Sequence, residues 1–322
     1  MSVRVGRLVD LADGCELRAP AWDDLEPAAA VLAADQLHSG EPVSLDTGYL
    51  RAQWERPGFE LATDAWVAVG RAGGVVAYGQ VTREEDDLAS SWGVVHPAHR
   101  GRGVGSALFG RIEARAAELL AGVRGARFRH VAAAGDEAAA ALLTSRGLRL
   151  ARHHWVMSIE LAPDAAAGPA PPGIVITPLR PDDDLREVHA VVDGAFDEHW
   201  CERSESYEHW VEDRTQGPDF DPALWRLAWE GRRLVGVLAA SVLGDQGWVS
   251  LLGVRREARR RGVGGSLLRS AFAAFAARGA GSAVLFVDAA NPTGATALYE
   301  RVGMHAAGGF DVWESPLPAP PA

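Results

Sequence analysis

The chain has 322 residues, 48% hydrophobic and 23% charged, which suits a globular protein with a core in each of two ordinary domains. Its 43 acidic residues outnumber 32 basic ones, and the net charge of −11 excludes the dominant basic face that nucleic acid requires. Every basic residue is arginine, so a Walker A loop, a pyridoxal Schiff base and a lysine nucleophile are all ruled out.

No stretch approaches the ~18 apolar residues of a membrane span. The segment Met1–Arg7 has neither a long apolar run nor a small-residue cleavage site, so a cytoplasmic location is expected. Cys15 and Cys201 form no CxxC pair and suggest neither zinc nor a disulfide framework. In the first half, strands are predicted over Ala65–Val69, Val75–Thr82 and Ser91–Val95, and a helix over Gly105–Leu120. A strand over Phe128–Ala132 and a helix over Glu137–Arg146 follow. The run Leu161–Gly173, LAPDAAAGPAPPG, sustains neither helix nor strand and reads as a stiff linker.

The second half opens with a strand over Ile174–Leu179, then a helix capped by Asp182 and running towards Phe196. A helix over Glu205–Arg214 precedes strands over Leu224–Glu230 and Leu234–Val242, joined by the turn at Gly231. The strand Trp248–Val254 leads into a glycine-rich loop and a helix over Gly264–Arg278. The apolar stripe of that helix (Leu267, Leu268, Ala271, Phe272, Phe275) is expected to be a core face. Strand Ala283–Val287, helix Thr293–Arg301 and a terminal strand near Phe310–Glu314 complete the half. Helices interleaved with mostly antiparallel strands define an α/β fold of the α+β mixed-sheet kind. The expected division is 1–161 and 174–315, with 162–173 as linker and 316–322 as a disordered tail.

The two halves look like copies. Arg100-Gly101-Arg102-Gly103-Val104-Gly105-Ser106 matches Arg259-Arg260-Arg261-Gly262-Val263-Gly264-Gly265, with Ser266 following. Leu17-Arg18 matches Leu179-Arg180 upstream, and Arg146-Gly147-Leu148 matches Val302-Gly303-Met304 downstream. Three landmarks in one order argue for duplication of a whole domain. The repeated strand, glycine loop and helix form an anion-binding device. Glycines let backbone N–H groups converge on a phosphate, and the helix aims its positive end at the same point. A dinucleotide-binding loop would follow the first strand of its domain, whereas here the loop follows the fourth.

Arg-x-x-Gly-x-Gly after a strand resembles motif A of the GNAT superfamily, and Asn291–Met304, with its Leu298-Tyr299-Glu300 run, resembles motif B. The two-domain layout also resembles that of the mycothiol synthases. The resemblance implies two tandem GNAT-like acyl-CoA-binding domains, with acetyl-CoA as acyl donor and no metal. It implies that Val254 offers backbone groups to the pantetheine arm and that the amides of Arg260, Arg261, Gly262, Val263, Gly264, Gly265 and Ser266 hold the pyrophosphate. Arg259 would open the loop, Asn291 would lie along the pantetheine, and Tyr299 would donate a proton to the departing thiolate. In the first copy, Val95 and Arg100–Ser106 keep the binding elements, but Leu143 stands opposite Tyr299 and Gly135 opposite Asn291.

Many members of the superfamily carry a Glu on the strand before motif A; here Trp248 stands near that place. Substitute bases are Glu198, His199, Glu202, Asp219 and Asp221, and Trp200, Tyr207, Trp210 and Trp225 are either acceptor wall or core. The implied activity is N-acetyl transfer to a small-molecule amine or a peptide N-terminus by a monomer or homodimer. A CoA-binding protein without turnover is the alternative. No covalent intermediate is required, and Cys201 reads as a packed thiol.

Overall fold

In the computed structural model, which describes residues 9–10, 14–39, 45–196, 206–217, 219–291 and 294–317, the apolar runs of each half build a mixed sheet. The chain divides into unit 1, Met1–His154 with Gly308–Ala322, and unit 2, Trp155–Ala307. Unit 1 begins with β1 (Val9–Asp10), β2 (Glu16–Arg18), α1 (Leu25–His38), α2 (Thr47–Trp54) and α3 (Leu61–Asp64). It continues with β3 (Ala65–Val69), β4 (Val75–Glu85), β5 (Leu88–Val95), α4 (Val104–Leu119), β6 (Arg127–Ala133) and α5 (Glu137–Ser145). Next come β7 (Arg149–Glu160), β8 (Ile174–Pro178), α6 (Pro181–Phe196), α7 (Tyr207–Thr215), β9 (Arg226–Glu230) and β10 (Arg233–Leu243). The last elements are β11 (Gln246–Val254), α8 (Val263–Ala277), β12 (Ser282–Asp288), α9 (Ala295–Arg301) and β13 (His305–Pro316).

The sheet of unit 1 has the order β1-β2-β3-β4-β5-β6-β13, and that of unit 2 the order β8-β9-β10-β11-β12-β7. Each is antiparallel up to one parallel pair, β5 with β6 or β11 with β12. These units cut the chain differently from the expected 1–161 and 174–315. β13 runs antiparallel to β6 from Phe310↔Ala133 to Pro316↔Arg127, so unit 1 takes its last strand from the far end of the chain. Unit 2 takes its last strand from the second part of β7, whose Met157 is buried in its core. The tail expected from residue 316 is ordered at its start: Pro316 pairs with Arg127 and Leu317 N–H donates to Ala126 O at 2.8 Å, while 318–322 lie outside the described residues. Between β7 and β8, residues 161–173 hold neither helix nor strand.

The repeated Leu-Arg landmark has a local cause. Arg18 pairs with Asp24 at 2.6 Å, and the same carboxylate accepts the Ala21 N–H at 2.7 Å. Arg180 and Asp184 repeat the device, with Asp184 accepting the Arg180 N–H at 2.8 Å and the guanidinium at 2.9 Å. Asp184, not the expected Asp182, thus ties down the first turn of α6, which Pro181 starts with its fixed φ. The stripe of α8 is buried as expected. Leu267, Leu268, Ala271 and Phe275 are fully enclosed, and each large side chain stabilises the unit by about 1.5–3 kcal/mol. Gly247 on β11 permits this approach, because a Cβ there would stand 2.3 Å from the Phe275 ring.

Candidate functional site

The candidate site of unit 2 begins at the turn between β11 and α8. Arg260 has φ 59°, alone in the left-handed region among the described non-glycine residues, and Gly262 follows at 82°. Left-handed residues at alternate positions point successive N–H groups the same way and form an anion-binding nest. The first N–H groups of α8 lack intrahelical acceptors and add the positive end of its dipole. Forcing Arg260 into this conformation costs about 1 kcal/mol, a strain that clusters at functional backbone. Unit 1 makes the same turn with glycines, Gly101 at 74° and Gly103 at 81°. Gly264, Gly265 and Ser266 are buried, and a Cβ on Gly264 would stand 3.0 Å from Leu298 of α9. In unit 1 Gly105 is half-buried and Ser106 exposed.

The arginines do not all face the loop. Arg259 donates to Val254 O at 3.1 Å and to Ala195 O of α6 at 3.3 Å. Its counterpart Arg100 reaches Val95 O at 3.4 Å, is hydrogen-bonded to Asp35 of α1 and approaches Asp136 at 3.7 Å. Both therefore staple the strand end to the first long helix of their unit. Arg261 is bound to Glu230 at 2.5 Å, and Arg102 donates to Ala98 O at 3.2 Å.

The strand before the loop differs between the units. In unit 2, Leu251 pairs with Ala239 but Val249 with Ala240, so Ser250 is an extra, bulged residue. The bulge resets the alternation: Val249 packs on the α8 side, Leu251 joins the core under α6, and Leu252 and Val254 return to the α8 side. Parallel pairing of β11 with β12 ends at Val249↔Leu285, which leaves Ser250–Val254 diverging from β12. In unit 1, β4 and β5 pair without a shift from Ala77↔Val95 to Arg83↔Ala89. Pairing of β5 with β6 there persists to Trp92↔Val131, closer to the loop. Ser91, at the position of Ser250, stays in the ladder with its Oγ 2.8 Å from His130 Nδ1. Burial pushes that imidazole down to about 3, so it stays neutral, a packed polar pair.

Tyr299 lies on α9, 8% exposed, against the α8 core. Burial pushes its phenol up to about 12. Leu143 occupies its place in unit 1 and is enclosed in the core. The helix expected over Thr293–Arg301 starts at Ala295 after Gly294, so Asn291 does not open it; its N–H donates to Asp288 O at 3.0 Å. Gly135, opposite Asn291, lies in the turn after β6. Trp248 meets Phe286 edge-on with centroids 5.3 Å apart, and Phe286, the first β12 residue past the last parallel pair, is 48% exposed. Phe286 had no signal in a β-strand pattern beyond its own apolarity.

Of the substitute bases, Glu198, His199 and Glu202 lie outside the described residues, as do Trp200 and Cys201. Asp221 is spent on Arg278 at 2.6 Å and on the Ala223 N–H at 2.8 Å. Asp219 is exposed, its carboxyl raised by partial burial. Trp210 and Trp225 are core, packed edge-on at 6.1 Å, and Tyr207 is half-buried with the Arg186 guanidinium 4.3 Å above its ring. Among the described residues, no group of three His, Cys, Asp or Glu is placed to hold a metal, and no helix is long and apolar enough to cross a membrane.

A nest at a helix start and a bulged strand diverging from its parallel neighbour make up the candidate site, and Tyr299 is buried in the core cluster of the same unit. Residues 192–304 match the Acetyltransferase (GNAT) family, and residues 62–147 match the Acetyltransferase (GNAT) domain. A mycothiol acetyltransferase of Thermobispora bispora is 35% identical over 228 residues, 68% of this chain and 74% of the relative. One of Streptomyces avermitilis is 37% identical over 213 residues, 65% of this chain and 66% of the relative, just under two thirds of its length. The crystal structure of a GCN5-related N-acetyltransferase from Sphaerobacter thermophilus is 30% identical with a TM-score of 0.82, covering 96% of this chain and 98% of that one. The chain belongs to the GNAT acetyltransferase family and carries two of its domains in tandem.

Proposed function

We propose that the protein is an acyl-CoA-dependent N-acetyltransferase that moves the acetyl group of acetyl-CoA to the primary amine of a small molecule, with the chemistry in unit 2. The observation that carries this reading is the bulge at Ser250 with the early divergence of β11 from β12, in the unit whose core also holds Tyr299. The gap gives a thioester a passage between the strands, and the nest at Arg260–Gly262 suits its diphosphate. Backbone N–H groups of Ser250–Val254 on the β12 side are the donors for the oxygen that gains charge. The amine nitrogen forms its bond to the acyl carbon, the carbon–sulfur bond breaks, the thiolate takes a proton from the Tyr299 hydroxyl, and the proton shed by the new amide nitrogen returns to the tyrosinate. An amine of pKa ~10 must first lose a proton, to an ordered water or to a base among Glu198, His199, Glu202 and Asp219. A small-molecule acceptor accords with the name of the mycothiol acetyltransferases to which the chain is similar.

Trp248 at the position of the family's strand Glu favours a second reading, CoA binding without turnover. Release of free thiol from acetyl-CoA with a panel of primary amines separates the two. Amine-dependent release is expected, and none above the protein-free rate despite CoA binding would overturn the enzyme reading.

A further inference from the structure

The connection between β7 and β8 crosses the start of α8. A Cβ on Gly262, in the nest, would stand 3.5 Å from Pro171 Cγ. A Cβ on Gly168 would stand 3.7 Å from Nε and 3.9 Å from Cδ of Arg269, in the second turn of α8. Long side chains on a helix lean towards its N-terminus. Arg269 does so, with Nη1 3.4 Å from the Cβ position of Gly265 in the first turn, and Val302 and Leu298 of α9 flank the same spot at 3.5 and 3.7 Å. Its guanidinium therefore rests on the turn that follows the nest, with the β7–β8 connection on one side and α9 close by. Arg269 is half-buried, and among the described residues it makes no hydrogen bond and no ion pair.

An arginine stem can lie on apolar surface for packing alone. A guanidinium drawn partly out of water without an acceptor, however, carries a desolvation cost that a bound anion offsets. Unit 1 treats the same place differently. Gly110 stands there, and Arg146, whose Nη2 is 4.0 Å from a Cβ built on Gly110, is held by Glu113 at 3.1 Å. Unit 2 has Val302 and Phe272 in place of that pair, and its own arginine comes from α8 itself.

Resting on the acyl-CoA reading of unit 2, we propose that Arg269 binds the 3′-phosphate on the ribose of the donor. The nest takes the diphosphate, and Gly265 lies three residues beyond Gly262, about 4.5 Å along the helix, a separation on the scale of one ribose. The planar guanidinium presents paired N–H donors that match two phosphate oxygens. The site then selects donors that carry the 3′-phosphorylated nucleotide over the same thioester on a shorter carrier.

The test is calorimetry of the full chain with CoA and with 3′-dephospho-CoA, in the parent and in Arg269→Met, which keeps an apolar stem and removes the charge. Both chains carry Gly103→Asp, which is strained at φ 81° and sets a carboxylate in the unit 1 loop, so that unit 2 alone is read. The parent is expected to bind CoA at least about 10-fold more tightly than 3′-dephospho-CoA. In Arg269→Met that preference should fall to within about 2-fold, with the affinity for 3′-dephospho-CoA changed by less than about 2-fold. A preference that survives the substitution, or that is missing from the parent, overturns the proposal. Equal weakening of both ligands would make Arg269 a structural residue and overturn it as well. Binding of neither ligand to the parent would overturn the acyl-CoA reading itself, and this inference with it, so the two failures are told apart.

Discussion

Units 1 and 2 share a turn and differ in a strand. Both enter their long helix through a left-handed glycine at its N-cap, Gly103 or Gly262, and both staple the strand end with an arginine. Only unit 2 bulges the strand at Ser250, parts it early from its parallel neighbour and holds a tyrosine, Tyr299, where unit 1 has Leu143. The shared turn is needed to start the helix and close the core whether or not a phosphate binds. Its presence twice is therefore weak testimony to two active sites. The features that only chemistry requires are the irregular ones, a bulge and a buried phenol.

The largest effect should come from breaking each unit's reliance on the other half of the sequence. A fragment ending at residue 161 lacks β13, and with it Trp313 from the core and the Arg129–Glu314 pair at 2.8 Å. Loss of a buried Trp alone costs about 3–5 kcal/mol, against total stabilities of about 5–15 kcal/mol. The fragment should show no cooperative urea transition, and β6 should be left as an aggregation-prone edge. A cooperatively folding 1–161 fragment would show that the exchanged strand is dispensable and that the units are independent copies.

The chemical asymmetry is tested at Tyr299. Tyr299→Phe keeps the packing and removes the hydroxyl, so turnover should fall at least about 10-fold with CoA affinity within about 2-fold. With its phenol pushed up to about 12, the parent keeps that proton through pH 10, and Tyr299 should give the turnover profile no alkaline limb below that point. A downturn near pH 9–10 that vanishes in the variant would contradict the burial of this group, and unchanged turnover would remove it from the reaction.

Order and type of most elements were legible because their signals are local. Ala65–Val69 forms the strand its apolar run predicts, and the α8 stripe is the core face its spacing implies. The family resemblance was legible in the glycine loop and in Leu298–Glu300. The strand exchange was not, because Val312 and Trp313 announce a strand without naming its partner, which tertiary pairing selects. The bulge was hidden for a related reason: Val249, Leu251 and Leu252 are all apolar, so the flip of face leaves no mark on the pattern. Nor does any residue type signal that Arg259 would reach Ala195 O.

The smallest expected effect sharpens the arginine staple. Unit 1 ends it on Asp35, and unit 2 ends it on a backbone carbonyl at Ala195. Asp35→Ala removes the unit 1 partner and should cost only about 1 kcal/mol in a urea melt. Burial is the main influence on the Asp35 carboxyl and raises it despite the Arg100 guanidinium, so desolvation offsets much of the attraction. A carboxyl raised on folding binds its proton more readily in the folded chain, so its contribution is greatest at low pH and declines as pH rises through the carboxylate range. The deficit of Asp35→Ala relative to the parent should therefore shrink between pH 4 and 7. A deficit that grows over that interval would mean the pair is net attractive, and that unit 1 holds its strand end by charge.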